Sequence, residues 1–247
     1  MSLALMIPTR YSSSRFPGKP LAKIAGKELI WRVWLKCAEG FDKKNIYVLT
    51  DDLRISIFCK EKGINVVMTS SNCLTGTDRL YEASLKIKAD IYINVQGDEP
   101  LLNPKDIKTF ISLASKYPAK IFCGMTLIKD ELEFISPSVP KVVFSKSNRL
   151  MYISRAPIPS TKELSFKKAY KQVCLYSFPK KELEFFGKLN KKTNIEAIED
   201  IEILRFLEED REVNMVKLSQ GTIAVDFPED IKKVEDYLKN EKRNFKI

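Results

Sequence analysis

Leu3-Ala4-Leu5-Met6-Ile7-Pro8-Thr9-Arg10-Tyr11-Ser12-Ser13-Ser14-Arg15-Phe16-Pro17-Gly18-Lys19-Pro20-Leu21 is the stretch that decides the fold. Residues 3–7 form a short apolar strand. It stops at a proline and opens into a loop of hydroxyls and three cations. A helix is predicted at 28–39. A loop at the carboxyl end of a first strand is where an open α/β sheet binds its ligand. Backbone N–H groups, hydroxyls and fixed positive charge suit a polyphosphate, and a solvated basic loop has the same composition. It is not a Walker A loop, because Pro20 rather than Ser or Thr follows Lys19.

Working outward, strand and helix signals alternate. Strands are predicted at 45–50, 65–68, 90–95, 120–127, 173–178 and 213–218. Between them, helices are predicted at 52–62, with Leu53, Ile57 and Phe58 on its inner face, and at 78–88, capped by Thr77 or Asp78. A third follows Asn103 with Pro104 at its first position and runs to 116. Later helices are predicted at 180–189, 195–209 and 228–238. Such alternation makes a mostly parallel sheet flanked by helices, of Rossmann-like class. Residues 141–144 and 150–154 flank Ser145-Lys146-Ser147-Asn148-Arg149 and read as a hairpin. It belongs to an antiparallel excursion at about 128–178, expected to serve a substrate wall or a subunit interface. No repeat or linker interrupts the 247 residues, so one domain over 1–247 is expected.

Composition excludes whole classes. The chain has no histidine, which removes Ser-His-Asp and Cys-His chemistry and any His-ligated metal. Its five cysteines (Cys37, Cys59, Cys73, Cys123, Cys174) contain no C-x-x-C pair, arguing against disulfide frameworks and zinc ribbons. Any metal should then be a hard cation on oxygen ligands, with Mg²⁺ leading. No apolar run approaches the about 18 residues of a membrane span, and the first residues lack a signal-peptide pattern. A cytoplasmic location is the expectation. The formal charge of +10 admits nucleic-acid binding, but no strand interleaves aromatic with basic residues, and the lysines are dispersed among acids.

Two further segments carry carboxylates to strand ends. Ile93-Asn94-Val95-Gln96-Gly97-Asp98-Glu99-Pro100 ends a buried strand in an amide and two acids. Gly221-Thr222-Ile223-Ala224-Val225-Asp226-Phe227-Pro228 brings Asp226 to the end of another apolar run, where it suits either a metal or a helix N-cap. Asp98 and Asp226 on Mg²⁺, facing Arg10, Arg15 and Lys19 on a triphosphate, would offset charge as pyrophosphate leaves. Positioning and electrostatics suffice for such chemistry without histidine.

Five segments in register closely resemble the 3-deoxy-manno-octulosonate cytidylyltransferase (CMP-KDO synthetase) family. They are Ile-Pro-Thr-Arg-Tyr-Ser-Ser-Ser-Arg-Phe-Pro-Gly-Lys-Pro-Leu, Thr-Gly-Thr-Asp-Arg-Leu, Val-Gln-Gly-Asp-Glu-Pro, Ile-Ser-Arg-Ala-Pro-Ile-Pro and Val-Asp-Phe-Pro-Glu-Asp. The resemblance covers essentially the whole chain. It implies a CTP- and Mg²⁺-dependent homodimer that activates an ulosonic acid for cell-surface polysaccharide or lipopolysaccharide.

By position, the resemblance implies Lys19, Arg15 and Asp98 as catalytic residues, and Pro8, Arg10, Ser13, Ser14, Thr77, Arg79 and Gln96 against the nucleotide. It implies Arg155, Gln172, Tyr176, Glu199 and Glu202 on the sugar side, and Asp98 and Asp226 on the metal. Three departures are expected to fall on the sugar side. Gln172 stands where the family commonly has His, Lys162 is the sole cation near Ile158-Pro159, and Ile203 replaces Gln. The acceptor is left open between KDO and a related sugar acid. A sugar-1-phosphate nucleotidyltransferase is the alternative within the enzyme class.

Overall fold

The computed structural model describes residues 1–13, 15–219 and 223–244, with side chains through residue 240. Ser14, Gly221 and Thr222, singled out above, lie outside the described residues.

The chain begins with β1 (Leu3–Pro8), whose Leu5, Met6 and Ile7 are wholly buried. Burying each such side chain stabilises the fold by about 1.5–3 kcal/mol. A small hairpin, β2 (Lys23–Ile24) and β3 (Lys27–Glu28), leads into α1 (Leu29–Gly40). Then come β4 (Ile46–Thr50), α2 (Leu53–Glu61), β5 (Asn65–Met68), α3 (Gly76–Ser84), β6 (Ile91–Val95) and α4 (Pro104–Lys116). The second half holds β7 (Ile121–Leu127), α5 (Glu131–Ile135), β8 (Lys141–Phe144), β9 (Leu150–Ser154) and β10 (Tyr170–Pro179). It closes with α6 (Lys180–Lys188), α7 (Asn194–Glu199), α8 (Leu204–Glu208), β11 (Val213–Lys217) and α9 (Asp230–Asn244).

The main sheet runs β11-β7-β10-β6-β1-β4-β5. Pairs β1–β4, β1–β6, β4–β5 and β7–β11 are parallel, as the alternation predicts. Helices cover both faces over two apolar clusters, one holding Leu5 and Ile7, the other Met6 and Tyr176. The β8–β9 hairpin extends the sheet by pairing with β10.

The excursion does more than form an appendage. β10 enters the middle of the sheet, antiparallel to both β6 and β7. Leu175 pairs with Val95, so the start of β10, not its end, reaches the edge where β1 and β6 finish. That reversal carries Gln172 and Cys174 to the ligand edge, and the Gln96 N–H donates to the Cys174 carbonyl at 3.2 Å.

Several local expectations are corrected. α2 buries Ile55, Ser56 and Cys59, while Leu53 and Ile57 are exposed. α3 starts earlier than predicted and is capped by Thr75, whose hydroxyl accepts the Asp78 N–H. The helix predicted at 195–209 is two helices. Asp200 takes a left-handed conformation (φ 50°) after α7, one that Asp tolerates better than most residues. α9 begins at Asp230, whose carboxylate accepts the N–H groups of Asp226 and Phe227. Asp226 is thus not the cap and is left for another role.

Candidate functional site

The carboxyl ends of β1 and β6, the start of β10 and the loop before α9 enclose a cleft of about 740 Å³. Gly97 permits the first two to converge: a Cβ there would lie 3.0 Å from the Pro8 carbonyl and 3.1 Å from the Thr9 Cβ. The basic loop folds back on itself through Gly18, left-handed at φ 73°, whose N–H donates to the Tyr11 carbonyl at 3.0 Å. Glycine takes that conformation without the Cβ penalty. A single 3-10 turn (Lys19–Leu21) follows and aims Lys19 into the cleft.

Lys19 Nζ donates to Asp98 Oδ2 at 2.9 Å and to the Val225 carbonyl at 2.8 Å. Arg15 Nη2 donates to Asp226 Oδ1 at 2.9 Å, with its guanidinium over the Phe227 ring. The Val225 N–H donates to the Asp98 carbonyl, tying the two acidic segments together. Distant parts of the chain thus form a patch of two cations and two carboxylates. Burial raises the Asp226 pKa, and the Asp98 charge raises it further, against Lys19 and Arg15. Glu99, enclosed beside them, is pushed up to about 8, mainly by burial and then by Asp98.

Two carboxylates under mutual repulsion fit Mg²⁺, which uses one or two carboxylates and takes its remaining ligands from phosphate and water. No group of three or more acidic or thiol ligands exists among the described residues. A dedicated all-protein metal cage is therefore not what Asp98 and Asp226 make.

Pro8, Arg10, Ser13, Arg79 and Gln96 also line the cleft. Arg10 is exposed toward it, whereas Arg79 is buried and held by Thr69 Oγ1 and Asp51. Thr77 does not reach the lining. Its side chain is buried, and its N–H donates to Glu202 Oε2 at 2.9 Å. Glu202 Oε1 accepts from Gln96 Nε2 at 3.1 Å, so both oxygens of this predicted sugar ligand are already engaged, by Thr77 and Gln96.

On the opposite wall stand Arg155, Gln172 and Tyr176, with Gln172 Nε2 donating to the Tyr176 hydroxyl at 3.1 Å. Glu199 faces away. Its carboxylate accepts from Ser154 Oγ and the Arg155 N–H. The Arg155 guanidinium donates to the carbonyls of Glu199, Asp200 and Pro137, satisfying the end of α7. Of the three departures, Gln172 alone lies in the cleft. Ile203 is wholly buried in the cluster holding Tyr176, and Lys162 is exposed outside the cleft. Their neighbours in sequence point both to the sugar side, and the chain turns them elsewhere.

Sequence reasoning did not single out Thr75, Gly76, Lys129, Glu133 and Lys171, which also line the cleft. Lys171 pairs with Glu133 across β10 and α5. Thr75 and Gly76 open the Thr-Gly-Thr-Asp-Arg-Leu motif, which is the signal that points to them. The α5 group carried no local signal.

A model of the cytidylyltransferase family matches residues 4–218. The chain belongs to the cytidylyltransferase family. It is 39% identical over 238 residues to the 8-amino-3,8-dideoxy-manno-octulosonate cytidylyltransferase of Shewanella halifaxensis, covering 94% of this chain and 96% of that one. It is 37% identical to the 3-deoxy-manno-octulosonate cytidylyltransferase of Syntrophotalea carbinolica, covering 97% and 99%. Among solved structures, CMP:2-keto-3-deoxy-manno-octonic acid synthetase complexed with CTP superposes with a TM-score of 0.87. That pair is 32% identical and covers 98% of this chain and 100% of the other. The resemblance read from five motifs is thereby confirmed, as is the mostly parallel α/β fold. Among the described residues of this cytidylyltransferase, no helix is long and apolar enough to cross a membrane.

Proposed function

We propose that this cytidylyltransferase transfers CMP from CTP to an ulosonic acid, 3-deoxy-manno-octulosonate or a close relative, and releases pyrophosphate. The observation that carries the reading is Lys19 Nζ bridging Asp98 and the Val225 carbonyl beside the Arg15–Asp226 pair. Gln96 stands at the same sheet edge.

In this reading the acceptor's anomeric hydroxyl attacks the α-phosphorus, and the bond to the pyrophosphate oxygen breaks. Lys19 and Arg15 face the charge that grows on the leaving oxygens. They are held in advance by Asp98 and Asp226, so little reorganisation accompanies the reaction. Bound at Asp98 and Asp226, Mg²⁺ would add Lewis-acid charge to the phosphoryl oxygens. Gln96 offers its amide to the base or ribose. Arg10 lies exposed for the outer phosphates. Gln172 and Tyr176 offer an amide and a hydroxyl to the sugar. With three of its donors committed to carbonyls, Arg155 shapes that wall and presents its remaining N–H groups to the acceptor carboxylate.

Pyrophosphate release is the test, with CTP, Mg²⁺ and a panel holding 3-deoxy-manno-octulosonate, its 8-amino-8-deoxy analogue and hexose 1-phosphates. Turnover is expected with an ulosonic acid and is lost on chelation of the metal. Turnover with a hexose 1-phosphate alone would reject the reading in favour of a sugar-1-phosphate nucleotidyltransferase. We further propose a homodimer, as the motif resemblance implies, and a cytoplasmic site of action, as the sequence leads us to expect.

A further inference from the structure

The Arg205 side chain on α8 is completely buried, yet it belongs to none of the cleft walls. Its guanidinium carbon lies over the Phe186 ring, 3.7 Å from the centroid. Nη1 and Nη2 donate to Asp78 Oδ1 and Oδ2 at 2.7 and 3.1 Å. Nε and Nη2 donate to Glu196 Oε2 and Oε1, each at 2.7 Å. Two paired forks on one guanidinium fix it as no lysine could. Asp78 in turn accepts from Thr75 Oγ1 at 2.8 Å, and Thr75 caps α3 at the cleft edge.

Three residues before Arg205, Glu202 holds the Thr77 N–H and the Gln96 amide. Gln96 also rests on Gly76, where a Cβ would come within 2.7 Å of its Nε2. The segment 202–205 therefore grips the start of α3 twice, by its backbone and by its first-turn carboxylate. Thr77 and Asp78, which receive these grips, stand behind Thr75, Gly76 and Gln96, which line the cleft.

We propose that Arg205 is a positioning residue for nucleotide binding: through Asp78 and the neighbouring Glu202 it holds Thr75, Gly76 and Gln96 in the geometry that receives CTP. The inference rests on the CTP-dependent reading above. The Asp78–Arg205 contact, rather than the burial of Arg205 as such, transmits the effect. Loss of either side should weaken CTP more than the acceptor.

The test is CTP binding by calorimetry and the KM values for both substrates in Arg205→Lys and Asp78→Asn. Thermal melts provide the stability scale. Leu183→Val, in the apolar cluster that holds Phe186 but not among the hydrogen-bond partners of the guanidinium, provides the purely structural comparison. The expected result is a CTP Kd and KM raised about tenfold in both variants. Acceptor KM should stay within threefold, and Leu183→Val should bind CTP like the parent despite a lowered melting temperature. Parent-like CTP affinity in Asp78→Asn, or a loss in Leu183→Val as large as in Arg205→Lys, overturns the inference. A parent protein that does not bind CTP overturns instead the functional reading beneath it. Should Arg205→Lys fail to fold, Asp78→Asn alone decides, because it keeps the side chain's size.

Discussion

Lys19 is the residue on which the cleft turns. It is brought from the first loop by a 3-10 turn and meets a carboxylate from the end of β6 and a carbonyl from the loop before α9. No stretch of local sequence contains more than one of these. Removing a preorganised donor aimed at developing charge costs on the order of 100- to 1,000-fold in kcat. Lys19→Met should therefore lower kcat by at least about 100-fold in the pyrophosphate assay, with a smaller change in acceptor KM. A kcat within threefold of the parent would remove Lys19 from the mechanism.

Glu202 makes a second prediction at this scale. Burial is the largest influence on its carboxyl and raises its pKa above the ordinary glutamate value, against the Thr77 hydrogen bonds that lower it. An acid with a raised native pKa stabilises the fold below its unfolded pKa. That contribution fades as pH rises through the native value, because the unfolded chain gives up the proton first. Glu202→Gln has no such titration. Without nucleotide, the melting temperature of Glu202→Gln minus that of the parent should increase from pH 4 toward pH 8. A difference constant across that range would show that the carboxyl is not raised.

Among the elements, α3 and α6 depend on one missing side chain. Gly187 on α6 faces Tyr81 on α3, and a Cβ there would sit 2.0 Å from the ring's Cγ and Cδ1. The clash falls at the base of the ring, where rotation gives little relief. Overpacking of this kind costs about 1–3 kcal/mol. Gly187→Ala should lower stability by that amount in urea unfolding, with partial recovery when Tyr81 is shortened to Leu. An unchanged midpoint would mean that the two helices part without cost.

Element identity was largely legible for a related reason. α4 begins at Asn103 and Pro104 because the amide side chain accepts the Lys105 N–H and proline lacks a donor that would otherwise be orphaned. That signal is local. The division of 195–209 is not. Its helical spacing is genuine, but Asp200 turns left-handed and Arg155, far away in sequence, takes the freed carbonyls.

For the molecule as a whole, exposed apolar side chains gather on the excursion and the nearby α7: Met151, Tyr152, Leu164, Ile195 and Ile198. Single exposed apolar residues are ordinary, but β9 and α7 meet through Ser154, Arg155 and Glu199 beside the cleft. If the proposed homodimer forms, sedimentation equilibrium should return twice the 28.4 kDa chain mass. Charge substitutions at Ile198 or Met151 should shift that mass toward one chain. A 28.4 kDa species at all concentrations would end the dimer proposal.

The sequence by itself determined the parallel α/β class, the basic loop after the first strand and the exclusion of histidine chemistry, and through its motifs the family. Those properties reside in residue type, period and contiguous motifs, which local physics reads directly. Tertiary structure alone decided that β10 enters the sheet reversed and delivers Gln172 to the ligand edge. It alone turned Glu199 and Ile203 away from the cleft and committed Glu202 to Thr77 and Gln96. Side-chain direction at the ends of short helices depends on which distant groups are left to satisfy. That is a property of the packed molecule, not of any segment of it.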